Sequence, residues 1–252
     1  MKKIITVHSF RQSVGKSTLA ANLAAVLAQK GFRVCLLDTD FQGASAHLFF
    51  NLSDKQGLDT FNDFVLGKKR IEETVNDVTE QAGEVKEGGK LFLIPSSTQI
   101  KDVMEMLHNT INIEQYNKGL GTLAENIMLD YVIVDTRAGL NENSLTVIAV
   151  SSVLLLVLHP DQQDFQGTAV TVDVARKLSV PAIRLVLNDS SETLNNNEIS
   201  KQIELTYQCG RGTVIEHNED LLALGSSKLF VTTYPDQSYS KHVQELAKIL
   251  IS

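Results

Sequence analysis

The sequence predicts an α/β fold: a doubly wound, mostly parallel sheet with helices on both faces. Three observations carry that expectation. Short apolar runs rich in Ile, Val and Leu lack the alternation of half-exposed strands, as expected of strands buried on both faces. Helix-length stretches separate these runs. Polar residues with useful chemistry follow the carboxyl ends of several runs, where open parallel sheets bind their ligands.

In chain order, residues 4–7 and 34–37 read as the first two strands, followed by 91–94, 131–134, 153–158 and 183–187. Helical patterns cover 16–29, 113–128, 166–178 and 196–207, and Gly31 suits the end of the first helix. The apolar run 147–158 is broken by Ser151 and Ser152 and is too short to cross a bilayer. It reads as the end of a helix followed by a buried strand. Residues 54–89 are polar, with Lys68-Lys69-Arg70 and a Glu/Lys/Gly segment at 84–89. They are expected to form a surface excursion or mobile segment of one domain spanning residues 1–252. The last stretch, 238–251, places Val243, Leu246, Ala247 and Leu250 on one helical face. It reads as a docking helix, because a membrane-surface helix needs a more basic polar face than Lys241 and Lys248 supply.

The 252 residues are 43% apolar and carry a net charge of -7. Such a chain can bury a full core and does not suit a protein that coats nucleic acid through general basicity. Its two cysteines, Cys35 and Cys209, lie far apart, which suggests neither a disulfide framework nor a zinc site and fits a reducing cytosol. The first apolar run is too short for a signal-peptide core, so a cytoplasmic location is expected.

The chemistry begins at Val14-Gly15-Lys16-Ser17-Thr18, between the first strand and the first helix. Gly-Lys-Ser at such a junction is the tail of a phosphate-binding loop. Backbone N–H groups and the helix dipole meet an anion there, Lys16 reaches β- and γ-phosphates, and the Ser17 hydroxyl can bind Mg²⁺. The full pattern is G-x-x-x-x-G-K-[ST], and its first Gly falls on Phe10. After the second strand come Asp38 and Asp40, two carboxylates that could orient metal-bound water and an attacking water. A capped turn before Gly43 explains the same residues. Asp135 closes Tyr131-Val132-Ile133-Val134 as a Walker B aspartate would, holding Mg²⁺ through water. Asn188 follows another run, and its amide could read a purine edge or simply begin a polar loop. The guanine-reading Asn-Lys-x-Asp is absent, with Asp189 and Ser191 in the Lys and Asp places, which favours adenine.

Together these residues resemble the MinD/ParA family of P-loop ATPases, whose deviant Walker A motif reads K-G-G-x-G-K-[ST]. The resemblance spans nearly the whole chain. It takes in residues 11–18, 36–43, 132–139 and 160–178, then Asn188, then Tyr234-Pro235-Asp236 before the last helix. It is nearer to the MinD-like and CpaE-like branch than to plasmid-partition ParA. The resemblance implies ATP and Mg²⁺ as ligands, and an ATP-bound sandwich homodimer. In that dimer the first lysine of the motif, here Arg11, reaches the partner's phosphates. Arginine keeps its charge and can fork onto two oxygens, so the role could survive the exchange. Lys16, Asp40 and Arg11 would carry catalysis, with Asp40 positioning the water. Arg11, Gln12, Ser13, Val14, Gly15, Lys16, Ser17 and Thr18 would hold phosphates. Ser17, Asp38 and Asp135 would surround the metal, and Asn188, Pro235 and Asp236 would flank the adenine.

Gln12 and Ser13 stand where the family has glycines, and Phe10 where it has another small residue. A side chain forced into a left-handed backbone costs roughly 1–2 kcal/mol. Arg137 replaces the proline of Asp-x-Pro-x-Gly. It reads either as a second phosphate or interface cation, or as a surface arginine paired with a carboxylate. The leading expectation is an ATP-dependent dimerising switch, slow and partner-stimulated, that positions or partitions cellular cargo. A cargo or partner protein is expected; Lys68-Lys69-Arg70 could touch DNA or anionic lipid, although short charge runs are usually solvated. The alternative is a degenerate scaffold that binds nucleotide and a partner without turnover. A relative of dethiobiotin synthetase or of nitrogenase iron protein fits poorly, because no substrate pocket is recognisable and the cysteines are not paired.

Overall fold

The computed structural model describes residues 3–52, 57–191 and 196–252. Residues 54–56 of the polar stretch therefore lie outside the described residues. The strands are β1 (Lys3–His8), β2 (Arg33–Asp38), β3 (Asn76–Asp77), β4 (Lys90–Ile94), β5 (Tyr131–Asp135), β6 (Val153–Leu158), β7 (Ala182–Ser190) and β8 (Gly210–Glu216). The helices of the first half are α1 (Lys16–Gln29), α2 (Phe61–Val65), α3 (Ile100–Met106), α4 (Ile113–Asn126) and α5 (Glu142–Ala149). The second half adds α6 (Gln162–Lys177), α7 (Asn196–Tyr207), α8 (Glu219–Leu224), α9 (Phe230–Thr233) and α10 (Ser238–Ile251).

The eight strands form one sheet in the order β3-β4-β2-β5-β1-β6-β7-β8. Every pairing is parallel except that of β3 with β4. Side chains alternate across the sheet, and both faces are covered. Ile5, Val7, Ile133 and Leu155 pack under α1 and α10, whereas Ile4, Val132 and Val134 join the core beneath α2 and α4. Leu154, Leu156 and Leu158 pack below α6 and α7. Burial on both faces is why these strands read as continuous apolar runs.

Helix α1 begins and ends where the sequence placed it. Gly15 stands left-handed at its start and Gly31 left-handed just past its end, at φ 88° and 99°. Helix α10 also keeps its expected limits, with Val243, Leu246, Ala247 and Leu250 buried. Helix α6 starts four residues before its expected position, because the Asp161 side chain caps it by accepting from the Asp164 N–H at 2.9 Å. Strand β8 was not expected. Its Gly210-Arg211-Gly212 opening carries no strand signal, yet Gly212 is what lets it pair. A Cβ there would collide with the Leu185 backbone of β7.

Residues 57–89 carry short elements tied to the body by buried anchors: Phe61, Ile71, Thr74, Val78 and Ala82. The basic run within them is neutralised by neighbours. Lys68 pairs with Glu105 at 2.7 Å, Lys69 with Asp59 at 3.1 Å and Arg70 with Glu73 at 3.2 Å. Among the described residues no helix is long and apolar enough to cross a membrane.

Candidate functional site

The parallel strands point their carboxyl ends at one edge of the sheet, and a cleft of about 740 Å³ opens there. Lys16, Ser17, Thr18 and Asp40 line one end. Asn188, Glu216, Asn218, Leu222 and Tyr239 line the other.

The loop between β1 and α1 takes an unusual path. Ser13 is left-handed at φ 61°, without the glycine such a backbone favours. Gln12 is not left-handed, so the expected strain falls on one of the two replaced glycines. Phe10 turns its ring onto α6, into space that any side chain at Gly167 would occupy. The large residue at the head of the loop is thus matched by a missing one on the helix. At the loop's tail, Asn188 donates from Nδ2 to the Val14 carbonyl at 3.0 Å. A Cβ on Gly15 would strike that amide, so Gly15 meets both a conformational and a spatial demand.

Lys16 opens α1 and is only 7% exposed. Burial lowers its pKa, while Asp135 and Asp40 pull in the opposite direction. Beneath it, Asp38 and Asp135 end adjacent strands at the same register position. Asp38 is fully committed to the following loop. Its Oδ1 accepts from the Asp40 N–H at 2.9 Å, and its Oδ2 from the Ser45 and Ala46 N–H groups at 3.2 Å. Asp40 in turn accepts from the Gly43 N–H at 2.9 Å. Both residues therefore cap the turn, as the structural reading of that segment expected.

Asp135 differs. It is 1% exposed, and neither carboxylate oxygen has a well-formed hydrogen bond. Burial raises the pKa of Asp135, opposed by the neighbouring Ser17 hydroxyl and the Lys16 ammonium. Burial and the facing Asp135 likewise raise that of Asp38. A buried carboxylate with no well-formed hydrogen bond is expensive, and the Lys16 ammonium beside it offsets that cost only in part, since burial still raises its pKa. Asp135, Ser17 and Lys16 therefore fit a Mg²⁺-nucleotide: a hard anionic oxygen, a hydroxyl and a buried ammonium at the opening of a helix.

Behind the loop, the Thr136 hydroxyl donates to the Val7 carbonyl at 2.9 Å and so accepts from His8 Nδ1–H at 2.7 Å. Burial and nearby Lys16 push the His8 pKa down to about 3, so the ring is neutral.

Arg11 lies away from the cleft lining and is held within its own chain. Its Nε meets Asp164 and its Nη2 meets Asp161, both at 2.7 Å, while Nη1 donates to Gln163 at 3.1 Å. Pro235 and Asp236 are exposed and also lie outside the lining. The adjoining Gln237 instead braces the β8–α8 loop, accepting from Asn218 at 3.2 Å and donating to Asp220 at 2.8 Å. The residues that face the cleft there are Glu216, Asn218, Leu222 and Tyr239, none of which the sequence reading had singled out. The missing signal was β8: the loop after an unrecognised strand could not be placed at the sheet's carboxyl edge.

The AAA domain family model matches residues 2–184. An uncharacterized ATP-binding protein of Methanocaldococcus jannaschii is 24% identical, over 98% of this chain and 87% of its own. An iron-sulfur cluster carrier protein of Deinococcus radiodurans is 29% identical, over 94% of this chain and 61% of its own. Among solved structures, the septum site-determining protein MinD of Pyrococcus horikoshii, complexed with Mg-ADP, superposes with a TM-score of 0.81 at 20% identity. That match covers 99% of this chain and 96% of the other. A ParA family ATPase from Chlorobium tepidum gives 0.76 at 20% identity, covering 98% and 99%. At these identities the likeness is one of fold.

Proposed function

Because the chain belongs to the AAA domain family of MinD/ParA-type P-loop ATPases, we propose that it is an ATP-dependent dimerising switch. It would position or partition a cellular cargo through a partner protein. The observation that carries this reading is the buried carboxylate of Asp135, without a well-formed hydrogen bond, beside Lys16 and Ser17. In this reading Lys16 and the amides of residues 12–18 hold the phosphates. Ser17 and Asp135 hold Mg²⁺, and Asp38 fixes the loop that carries Asp40. Bound Mg²⁺ would supply charge neutralisation at the phosphates. Asp40 lines the cleft and orients the attacking water. Asn188 supports the loop and, with the β8–α8 segment, borders the base. Arg11 serves the partner subunit only after leaving Asp161 and Asp164, which makes dimerisation a change of partners for one guanidinium.

The test joins two measurements. Phosphate release should be slow in the wild type and abolished by Asp40→Ala, with nucleotide binding retained. Gel filtration should show a dimer with ATP and Mg²⁺ and a monomer with ADP. Equal inactivity of both proteins, or a monomer under both conditions, contradicts the switch.

A second reading is a nucleotide-binding scaffold without turnover, favoured by left-handed Ser13 and by the clamped Arg11. It predicts binding with no phosphate release in either protein. Iron-sulfur carriage finds less support in this chain. Cys35 is buried within β2, and Cys209 is half-buried after α7.

A further inference from the structure

Arg137 is half-buried and makes no hydrogen bond or ion pair among the described residues. It is not the carboxylate-paired surface arginine that one reading of the sequence expected. It lines the nucleotide cleft and also a neighbouring pocket of about 340 Å³ walled by Phe41, Met106 and Leu107. A guanidinium drawn partly out of water without an acceptor is costly, and its five donors suit a planar fork onto phosphate oxygens.

Its backbone is held in place. The Thr136 N–H and hydroxyl both donate to the Val7 carbonyl, at 3.3 and 2.9 Å. The Gly139 N–H donates to the Ser9 carbonyl at 2.9 Å, with Gly139 left-handed at φ 80°. Residues 136–139 are thereby stapled to the start of the phosphate loop, and Arg137 stands between the two staples.

Strand order says which phosphate it meets. Along the sheet, β8 and β7 border one end of the cleft, β1 feeds the phosphate loop in the middle, and β5 and β2 lie beyond it. Neighbouring strands are about 4.8 Å apart. An extended nucleotide with its base at β7–β8 and its inner phosphates at the α1 opening therefore ends over β5, where Arg137 emerges.

We propose that Arg137 reads the terminal phosphate of a nucleoside triphosphate bound in its own subunit, separating triphosphate from diphosphate. This rests on the nucleotide-binding reading above.

The test is equilibrium titration of wild type, Arg137→Ala and Arg137→Lys with Mg-ADP and with Mg-AMPPNP, a triphosphate analogue that resists hydrolysis. Arg137→Ala should weaken AMPPNP roughly 10- to 100-fold, as expected for a lost charge-assisted contact, and leave ADP within about twofold. Arg137→Lys, which keeps the charge and loses the fork, should fall between. Without nucleotide the melting temperature of Arg137→Ala should not fall, since the side chain has no hydrogen bond or ion pair among the described residues to lose. The triphosphate-selective loss should also be independent of protein concentration. Equal weakening of both nucleotides, no weakening of either, or a selective loss confined to high protein concentration overturns the assignment. Failure of the wild type to bind either nucleotide contradicts the underlying reading instead.

Discussion

The two ends of the cleft are assembled in different ways. At the end proposed to hold phosphates, Lys16, Asp38 and Asp135 are buried, close to contiguous sequence motifs, and supported by neighbouring strands β1, β2 and β5. At the opposite end, Asn188, Glu216, Asn218 and Leu222 come from β7, β8 and α8 and are half-buried or exposed, Leu222 by 69%. One end concentrates buried charge in a rigid setting. The other offers a polar rim with an apolar platform. Chemistry that depends on charge needs burial, and burial leaves marks in the sequence as apolar runs ending in Asp. Recognition of a flat, largely apolar base needs less, and leaves fainter marks.

Substitutions at the phosphate end should then have large effects and those near the base end small ones. Lys16→Ala is expected to be the most damaging. Losing a buried ammonium should weaken Mg-nucleotide binding by about 100-fold or more, measurable by calorimetry, and a loss under fivefold would break the comparison.

Asp135→Asn should cut both ways. It removes a buried charge that lacks a well-formed hydrogen bond and that Lys16 offsets only in part, so the nucleotide-free protein should gain about 1–3 kcal/mol, or roughly 2–4 °C per kcal/mol for a chain of this size. The sign with pH follows from the raised pKa values of Asp38 and Asp135. Between the unfolded and folded values, the folded protein binds more protons than the unfolded chain. The stability this contributes is full in acid and lost as pH rises through the folded values. The advantage of Asp135→Asn should therefore grow from about pH 5 to about pH 8. A melting difference that shrinks over that range would count against a net burial penalty on Asp135.

Gly167→Ala should cost about 1–3 kcal/mol by driving a methyl into Phe10. In Phe10→Ala/Gly167→Ala the clash disappears, so a double-mutant cycle should show strong coupling. Additive costs would mean that ring and glycine do not share that space. Ser13→Gly should raise stability by about 1 kcal/mol through relief of the left-handed backbone. At the far end, Pro235→Ala should leave nucleotide affinity within about twofold, while Asn218→Ala should cost about 1 kcal/mol by removing the α8 cap. A larger effect of Pro235→Ala on affinity would return that residue to the binding surface.

These differences also explain how far the sequence could be read. Lys16 was found through the Gly-Lys-Ser tail of a phosphate loop, and Asp38, Asp40 and Asp135 because each follows an apolar run; the structure places all four at one edge of the sheet. Glu216 and Asn218 were missed because the strand before them opens with Gly210 and Gly212. Those glycines reflect the close approach of β7 rather than side-chain pattern. Phe10 looked like damage to the loop. Its compensation sits at Gly167, 157 positions away in the chain, where no local rule reaches it. The contacts of Arg11 with Asp161 and Asp164 were hidden for the same reason.

The decisive measurement is calorimetric titration of the intact protein and of Asp135→Asn with ATP at millimolar magnesium. The account predicts saturable heat for the intact protein that is lost or strongly weakened in Asp135→Asn, although the variant melts at a higher temperature. No heat from the intact protein, or equal binding by both, would contradict the claim that this buried carboxylate exists to meet a nucleotide-bound cation.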